Sequence, residues 1–72
     1  MIIYKRKIKK EDIGNLENEE KLIYYISDDA AVTIDKINDG YLIRKKDISE
    51  NEVIDEIFLN TIDESMKFIE TG

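Results

Sequence analysis

Two segments rich in β-forming residues, AVTIDKI (31–37) and YLIRKK (41–46), flank the tripeptide NDG, and this arrangement constrains the fold more than any other feature. Asp39-Gly40 is a favoured central pair for a two-residue type I′ turn, because both central positions require positive φ. The two segments are therefore predicted to form a β-hairpin. A three-residue loop with Gly40 as a bulge is the competing prediction. In the two-residue version the cross-strand pairs are Asn38–Tyr41, Lys36–Ile43 and Ile34–Lys45.

Alternation along this hairpin separates an apolar face from a polar face, because successive side chains of a strand point to opposite sides. The apolar face is predicted to contain Val32, Ile34, Tyr41 and Ile43. The polar face is predicted to pair Asp35 with Arg44 and Thr33 with Lys46. A second layer of structure is therefore expected to cover the apolar face.

The N-terminal part of the chain predicts further strands. IIYKRKI (2–8) has a polar centre and is typical of an edge strand, whereas KLIYYIS (21–27) is a dense run of β-formers typical of a central strand. The polar segment KKEDIGNLENEE (9–20) is expected to be a loop or a single helical turn. DDA (28–30) is expected to turn the chain.

The C-terminal segment predicts one long amphipathic helix over about residues 50–70. Ser49 and Glu52 form the capping-box pattern S-x-x-E, and Ile48 with Val53 fits a hydrophobic staple. At 100° per residue, one broad apolar arc is expected to pack on the sheet. The arc contains Ile54, Ile57, Phe58, Thr61, Ile62, Ser65, Phe68 and Ile69. Gly72 stands where a helix C-cap is expected.

These elements predict an α+β fold: a three- or four-stranded antiparallel β-sheet packed on one long C-terminal amphipathic helix. At 72 residues the chain has room for a single small domain, residues 1–72. No window approaches the roughly 20 apolar residues of a membrane span, and the first apolar run is too short for a signal-peptide core. We therefore expect a soluble, cytoplasmic protein.

The composition argues against an enzyme. The chain has no cysteine and no histidine, which excludes thiolate chemistry, imidazole acid–base catalysis and the usual zinc sites. Asp28-Asp29 and DKINDG (35–40) lack the spacing and the closing glutamate of a calcium loop. No catalytic residue, metal site or cofactor is therefore predicted.

Charge is distributed unevenly along the chain. Residues 47–72 contain eight acidic side chains and one lysine, whereas residues 1–46 contain nine acidic and ten basic side chains. On the predicted helix, Glu52, Glu56, Asp63 and Glu70 fall on one side, bordered by Leu59 and Met66, with Asp55 and Glu64 at the margins. Two interpretations stay open here: a solvated face, partly explained by the helix dipole, and a carboxylate strip that binds a partner. Leu59 is either a chance exposed residue or the anchor of an interface.

The N-terminal basic run raises the question of a different partner, nucleic acid. A group of basic side chains could bind nucleic-acid phosphates. It consists of Lys5, Arg6, Lys7, Lys9 and Lys10, with Arg44, Lys45 and Lys46 expected nearby in the sheet. However, the strand points these cations to opposite faces, and Glu11 and Asp12 follow at once. Direct nucleic-acid binding is therefore disfavoured.

The segment AVTIDKINDGYLIRKKDISENEVIDEIFLNTIDE (31–64) resembles small acidic phage proteins that inhibit host defence, in particular an anti-CRISPR inhibitor of Cas9. The shared pattern is a set of strands, an N-D-G hairpin turn and a Ser/Glu/Asn-rich helix start, and it covers about half of the chain. The resemblance implies an inhibitor in the host cytoplasm that occupies a basic nucleic-acid site, often as a DNA mimic.

Three functions follow as expectations. The first is a non-enzymatic inhibitor that binds the basic surface of a host defence protein, such as a CRISPR effector or another defence nuclease. Its partner-binding residues would be Glu52, Asp55, Glu56, Leu59, Asp63, Glu64 and Glu70. The second is a small homodimer that uses an open strand edge or Leu59 and Met66. The third is a nucleic-acid-binding protein that uses the N-terminal basic strand.

Overall fold

The computed structural model describes residues 1–71 and has an α+β fold with a five-stranded mixed sheet. The strands lie in chain order across the sheet. β1 pairs with β2 in parallel, and every later pair is antiparallel. The elements are β1 (Ile2–Lys5), α1 (Lys10–Gly14), β2 (Lys21–Tyr25), β3 (Ala30–Ile37), β4 (Gly40–Asp47), β5 (Glu52–Leu59) and α2 (Ile62–Glu70).

The predicted α+β class is confirmed, but the sheet is larger and the helix shorter than the sequence predicted. The parallel pairing of β1 with β2 requires a crossover, and the connection that contains α1 supplies it. The backbone N–H of Lys9 donates to Oδ2 of Asp12 at 2.9 Å and so caps α1. The segment predicted as a loop or helical turn thus carries one short helix.

One row of apolar side chains crosses all five strands on the same face. In the register, Ile3 lies beside Leu22, Leu22 beside Ile34, Ile34 beside Ile43, and Ile43 beside Ile57. The three central members of the row are fully buried. Ile13 and Leu16 from the α1 segment and Met66 and Ile69 from α2 belong to the same core. Both helices therefore cover this face, while the opposite face, here called the helix-free face, has no helix on it.

The structure corrects the predicted hairpin register. The turn residues are Asn38 and Asp39, with Asn38 at φ 53°, and Ile37 pairs with Gly40. Neither the Asp39-Gly40 turn nor the three-residue loop is formed. The observed register brings Ile34 opposite Ile43, where both side chains enter the core.

The predicted faces of the hairpin are nevertheless confirmed. The observed register differs from the predicted one by two positions, and a shift of two leaves every side chain on its own face. Val32, Ile34, Tyr41 and Ile43 are all buried on the helix side. On the other face, Arg44 Nη1 lies 3.8 Å from Asp35 Oδ2, although the two residues are diagonal rather than directly opposite.

The predicted helix over residues 50–70 is wrong in its first half, where β5 forms. Ser49 does not cap a helix: its hydroxyl donates to Oδ1 of Asp47 at 2.7 Å, within the turn that joins β4 to β5. Asn51 has φ 51° and donates its backbone N–H to the carbonyl of Ile48, which closes that turn. The chain therefore reverses at the position where the capping box predicted a helix.

The helix begins instead at Ile62 and ends at Glu70, and Thr61 is its N-cap. The Thr61 hydroxyl oxygen accepts from the backbone N–H of Glu64 at 3.1 Å, so Thr61 and not Ser49 is the N-cap. The helical part of the predicted arc is confirmed, since Ser65 and Ile69 are buried and Ile62 and Phe68 pack against the core. No helix within residues 1–71 has the length and apolarity needed to cross a membrane.

Gly40 has a packing role that the turn prediction missed. A Cβ atom at Gly40 would stand 2.6 Å from Cε1 of Phe58, closer still to its Cζ, and 3.1 Å from the carbonyl oxygen of Leu59. The ring of Phe58 on β5 thus lies against the bare backbone of β4. Glycine is required here for close approach and not for a positive φ.

We predict that Gly40→Ala lowers the free energy of unfolding by about 1–3 kcal/mol, because the methyl group must displace the Phe58 ring. Urea denaturation measures the change. The matched control is Gly14→Ala, where the added Cβ would meet only the flexible end of Ile62 at 3.2 Å. A cost at Gly40 no larger than that at Gly14, or one unaffected by Phe58→Ala, would contradict this role.

Candidate protein-binding surface

The residues predicted to form one acidic strip lie on two different elements. Glu52, Asp55, Glu56 and Leu59 belong to β5, whereas Asp63, Glu64 and Glu70 belong to α2. The helical geometry that placed them on one side does not apply in a strand, where successive side chains point to opposite faces. The single strip from Glu52 to Glu70 therefore does not exist, and each carboxylate has its own surroundings.

Leu59 and Met66 are not surface anchors. Leu59 is half-buried, lies beside Tyr41 in the register and packs against the core. Met66 is only 9% exposed and is itself a core residue. The homodimer contact predicted through these two side chains stays a prediction, and only the exposed part of Leu59 is accessible for it, since Met66 is buried.

Glu56 is engaged in an ion pair on the helix-free face. Its Oε2 accepts from Nε of Arg44 at 2.6 Å, and this hydrogen bond raises the pKa of the guanidinium. Arg44 also approaches Asp35, which in turn lies 3.8 Å from Nζ of Lys21. A row of alternating charge thus crosses β2, β3, β4 and β5, and the charge of Glu56 is partly compensated.

Two of the α2 carboxylates also have structural partners. Asp63 accepts from Nζ of Lys10 at 2.7 Å, which joins α1 to α2 and raises the pKa of the lysine. Oε1 of Glu64 accepts from the Thr61 hydroxyl at 2.9 Å and completes the helix cap. The solvated-face interpretation explains these two residues without a partner molecule.

Glu52, Asp55 and Glu70 have no ion-pair partner among the described residues. Glu52 and Asp55 lie on β5. Glu70 lies at the end of α2, in an open groove whose lining also includes Ile54, Ile69 and the basic residues Lys45 and Lys46. These three carboxylates therefore lie on β5 and at the end of α2 that lines this groove.

β5 is an edge strand with most of its surface exposed. Within residues 1–71 it pairs with β4 only, and six of its eight residues are exposed. A bulge opposite Lys45 and Lys46 leaves Ile54 without a register partner. Three of the exposed side chains are apolar: Val53 (45%), Ile54 (68%) and Phe58 (50%). This strand therefore combines a free backbone edge with carboxylates and exposed apolar side chains, and we call it the β5 edge.

The opposite edge differs in length and charge. β1 has four residues and is followed by Arg6 and Lys7. The ring of Tyr4 stacks on Tyr25 with centroids 6.2 Å apart, and Lys5 forms an ion pair with Asp12 at 3.4 Å. Lys10 and Arg44, two further cations proposed for nucleic acid, are also ion-paired within the protein. Three of the eight suggested phosphate contacts, Lys5, Lys10 and Arg44, would therefore compete with internal carboxylates.

No other chemistry stands out in residues 1–71. No group of three or more acidic side chains there is arranged to hold a metal ion. No buried side-chain nitrogen or oxygen atom in this part of the chain lacks a hydrogen-bond partner. The β5 edge is the surface of the described residues that brings together free backbone groups, carboxylates without ion pairs and exposed apolar side chains.

Comparisons with protein-family models, with curated proteins and with solved structures give no match.

The sequence contained two signals for β5 that the helix prediction outweighed. Thr61 and Glu64 form a second capping box, twelve residues after the first. Ile57 and Leu59 stand two residues apart, and both turn toward the core, while Glu56 and Phe58 point to the helix-free face. A segment this short satisfies both the helical and the strand period, so periodicity alone does not decide between them.

The turn before β5 gives a pH-dependent prediction. The Ser49 hydroxyl at 2.7 Å and the backbone N–H of Glu50 at 3.2 Å both donate to Oδ1 of Asp47, and they hold the pKa of this carboxyl below its ordinary value of 3.8. Because the folded pKa lies below the unfolded one, the turn gains stability above about pH 3.8 and loses it as pH falls through the folded pKa.

Ser49→Ala should raise the pKa of Asp47 toward 3.8, and a carboxyl NMR titration measures the midpoint. The matched control is Ser27→Ala, since the Ser27 hydroxyl oxygen accepts from the backbone N–H of Asp29 instead of donating to a carboxylate. The stability difference between wild type and Ser49→Ala should shrink as the solution becomes more acidic. An Asp47 midpoint that does not move would contradict the role of the hydroxyl.

Proposed function

We propose that this protein is a non-enzymatic inhibitor that binds the basic surface of another protein through the β5 edge. The observation that carries the proposal is the grouping of unpaired carboxylates and exposed apolar side chains on one uncovered strand. Glu52 and Asp55 supply charge, and Val53, Ile54 and Phe58 supply apolar contact area. Glu56 and Glu70 flank this surface, while Asp63 and Glu64 serve the fold.

The charge distribution supports a steering mechanism. The net charge is −6, and residues 47–72 contain eight of the seventeen acidic side chains with only one of the eleven basic ones. A surface of one sign raises the rate of encounter with a surface of the opposite sign. Once the surfaces meet, the exposed apolar side chains gain from leaving water. Carboxylates would then stand where nucleic-acid phosphates otherwise bind.

The finer proposal concerns the class of partner. The resemblance to anti-CRISPR inhibitors of Cas9 predicts a basic cleft of a host defence nuclease, reached in the host cytoplasm. One element of that resemblance, the helix start after the hairpin, is a turn and a strand in this protein. The hairpin and the local acidic character still support a partner that normally binds nucleic acid.

The test uses charge reversal at residues without internal ion pairs. Glu52→Lys combined with Asp55→Lys should weaken binding to a basic partner about ten-fold or more, because two attractive contacts become repulsive. Guide-loaded Cas9 is the first probe, and retention of its DNA binding measures inhibition. Raising the salt concentration should weaken the wild-type complex, since exposed charges are screened beyond about 8 Å at physiological ionic strength.

Glu17→Lys combined with Glu19→Lys is the matched control, because it changes the net charge equally in the exposed connection before β2. Both double variants should unfold at similar urea concentrations. Equal loss of inhibition in both would show a general charge effect and contradict a site at β5. Salt-independent inhibition would contradict the electrostatic mechanism.

A further inference from the structure

We propose that the β5 edge binds an extended, basic segment of the partner protein by strand addition, so that the partner supplies a sixth strand to the sheet. This inference rests on the proposed function and specifies its geometry. Backbone hydrogen bonds would provide affinity, and alternate side chains would provide specificity. The partner segment would have two apolar residues followed by two basic residues.

The backbone of β5 is available for this pairing. Only β4 pairs with β5, so the other edge of an eight-residue strand presents its N–H and C=O groups outward. Most strands of this length are protected by lysine, by proline or by a covering element. β5 has acidic side chains and one bulge instead, which leaves residues 55–59 in regular register. That regular stretch is long enough to pair with a short segment.

The sequence pattern of the partner can be read from β4. Leu42, Ile43, Arg44 and Lys45 lie opposite Phe58, Ile57, Glu56 and Asp55 in the register. Apolar residues therefore meet apolar residues, and basic residues meet acidic ones. A strand added antiparallel on the other edge of β5 runs in the same direction as β4 and meets the same four side chains. The added strand would therefore match β5 if its residues followed the same order as those of β4, apolar-apolar-basic-basic.

The carboxylates of β5 can accept further hydrogen bonds from an added strand. Asp55 forms no ion pair with any described residue, although Lys45 is its register neighbour. Glu56 uses Oε2 for Arg44, and a carboxylate can accept from a further donor through its other oxygen. Phe58, on the same face as Glu56, is half exposed and offers apolar contact two residues away. One added strand can therefore satisfy charge and apolar complementarity together.

A second copy of the chain fits this edge less well than a partner protein does. Pairing β5 with β5 brings like charges together, which is destabilising. The β1 region, Ile3-Tyr4-Lys5-Arg6, has the apolar-apolar-basic-basic order, but Arg6 lies beyond the strand and Lys5 already pairs with Asp12. A contact between β1 and β5 would also be head-to-tail and would not close about a two-fold axis.

The test uses a synthetic peptide with the sequence YLIRKK, which is that of residues 41–46, with blocked ends. Calorimetry measures its affinity, and amide hydrogen exchange followed by NMR locates its contact. Strand addition predicts that every second amide within residues 55–59, the stretch in regular register, becomes protected. N-methylation of one set of alternate peptide residues should abolish binding, whereas methylation of the other set should leave it largely intact. A peptide bound to the surface of a helix would show neither the alternating amide protection nor the alternating effect of N-methylation.

Side-chain matching is tested separately. The peptide YRLKIK has the same composition in alternating order, and it should bind about ten-fold more weakly because a basic residue then faces Ile57 or Phe58. Asp55→Lys combined with Glu56→Lys should weaken binding of YLIRKK by a similar factor. Gly14→Ala leaves β5 untouched and serves as the control variant.

Two results would overturn the proposal. If binding of the peptide or of a basic partner depends on the β5 carboxylates but no β5 amide gains protection, strand addition is wrong while the proposed function stands. If β5 amides become protected without peptide as protein concentration rises, a second copy occupies the edge. The proposed function itself fails separately, when charge reversal at Glu52 and Asp55 leaves inhibition unchanged.

Discussion

The apolar row that crosses the sheet is the constraint on which the rest of the structure depends. Ile34 and Ile43 lie opposite each other at its centre, and both are fully buried. Leu22 and Ile57 extend the row to β2 and β5, so each strand must adopt the register that adds one apolar side chain to it. The helices follow from this row, because it needs a cover and α1 and α2 supply one.

This row explains why the sequence predicted the hairpin's faces but not its register. Alternation assigns each side chain to a face, and that assignment survives a shift of two residues. The register, however, depends on which apolar residues become neighbours across strands. The free energy gained from a preferred turn type is small compared with that gained from burying an apolar pair. Asn38 accepts a positive φ so that Ile34 can meet Ile43, and Gly40 is left free to contact Phe58.

The same competition explains the missed strand and the altered site. Residues 49–59 satisfy a helical period and contain a capping-box pattern, so local signals favoured a helix. The alternative depends on distant residues: Ile43 and Tyr41 on β4 offer an unfilled edge that Ile57 and Leu59 extend. Once β5 forms, the half-buried Leu59 packs against the core and Phe58 is exposed. The predicted acidic character of this region survives in β5, whereas the predicted anchor is replaced by residues that the sequence placed in the core.

The two edges of the sheet show how a small protein can keep a long strand uncovered. β1 is short, and the residues at its end are basic, which limits pairing there. β5 is twice as long, and covering it with α2 would require a connection longer than the two residues that separate them. Its carboxylates oppose pairing with another β5 while leaving the backbone accessible. Protection by negative charge is therefore selective: it repels copies of the same strand and favours a strand of opposite charge. An edge protected by proline or by a covering helix would exclude both, so the means of protection at β5 is itself an argument for a basic partner.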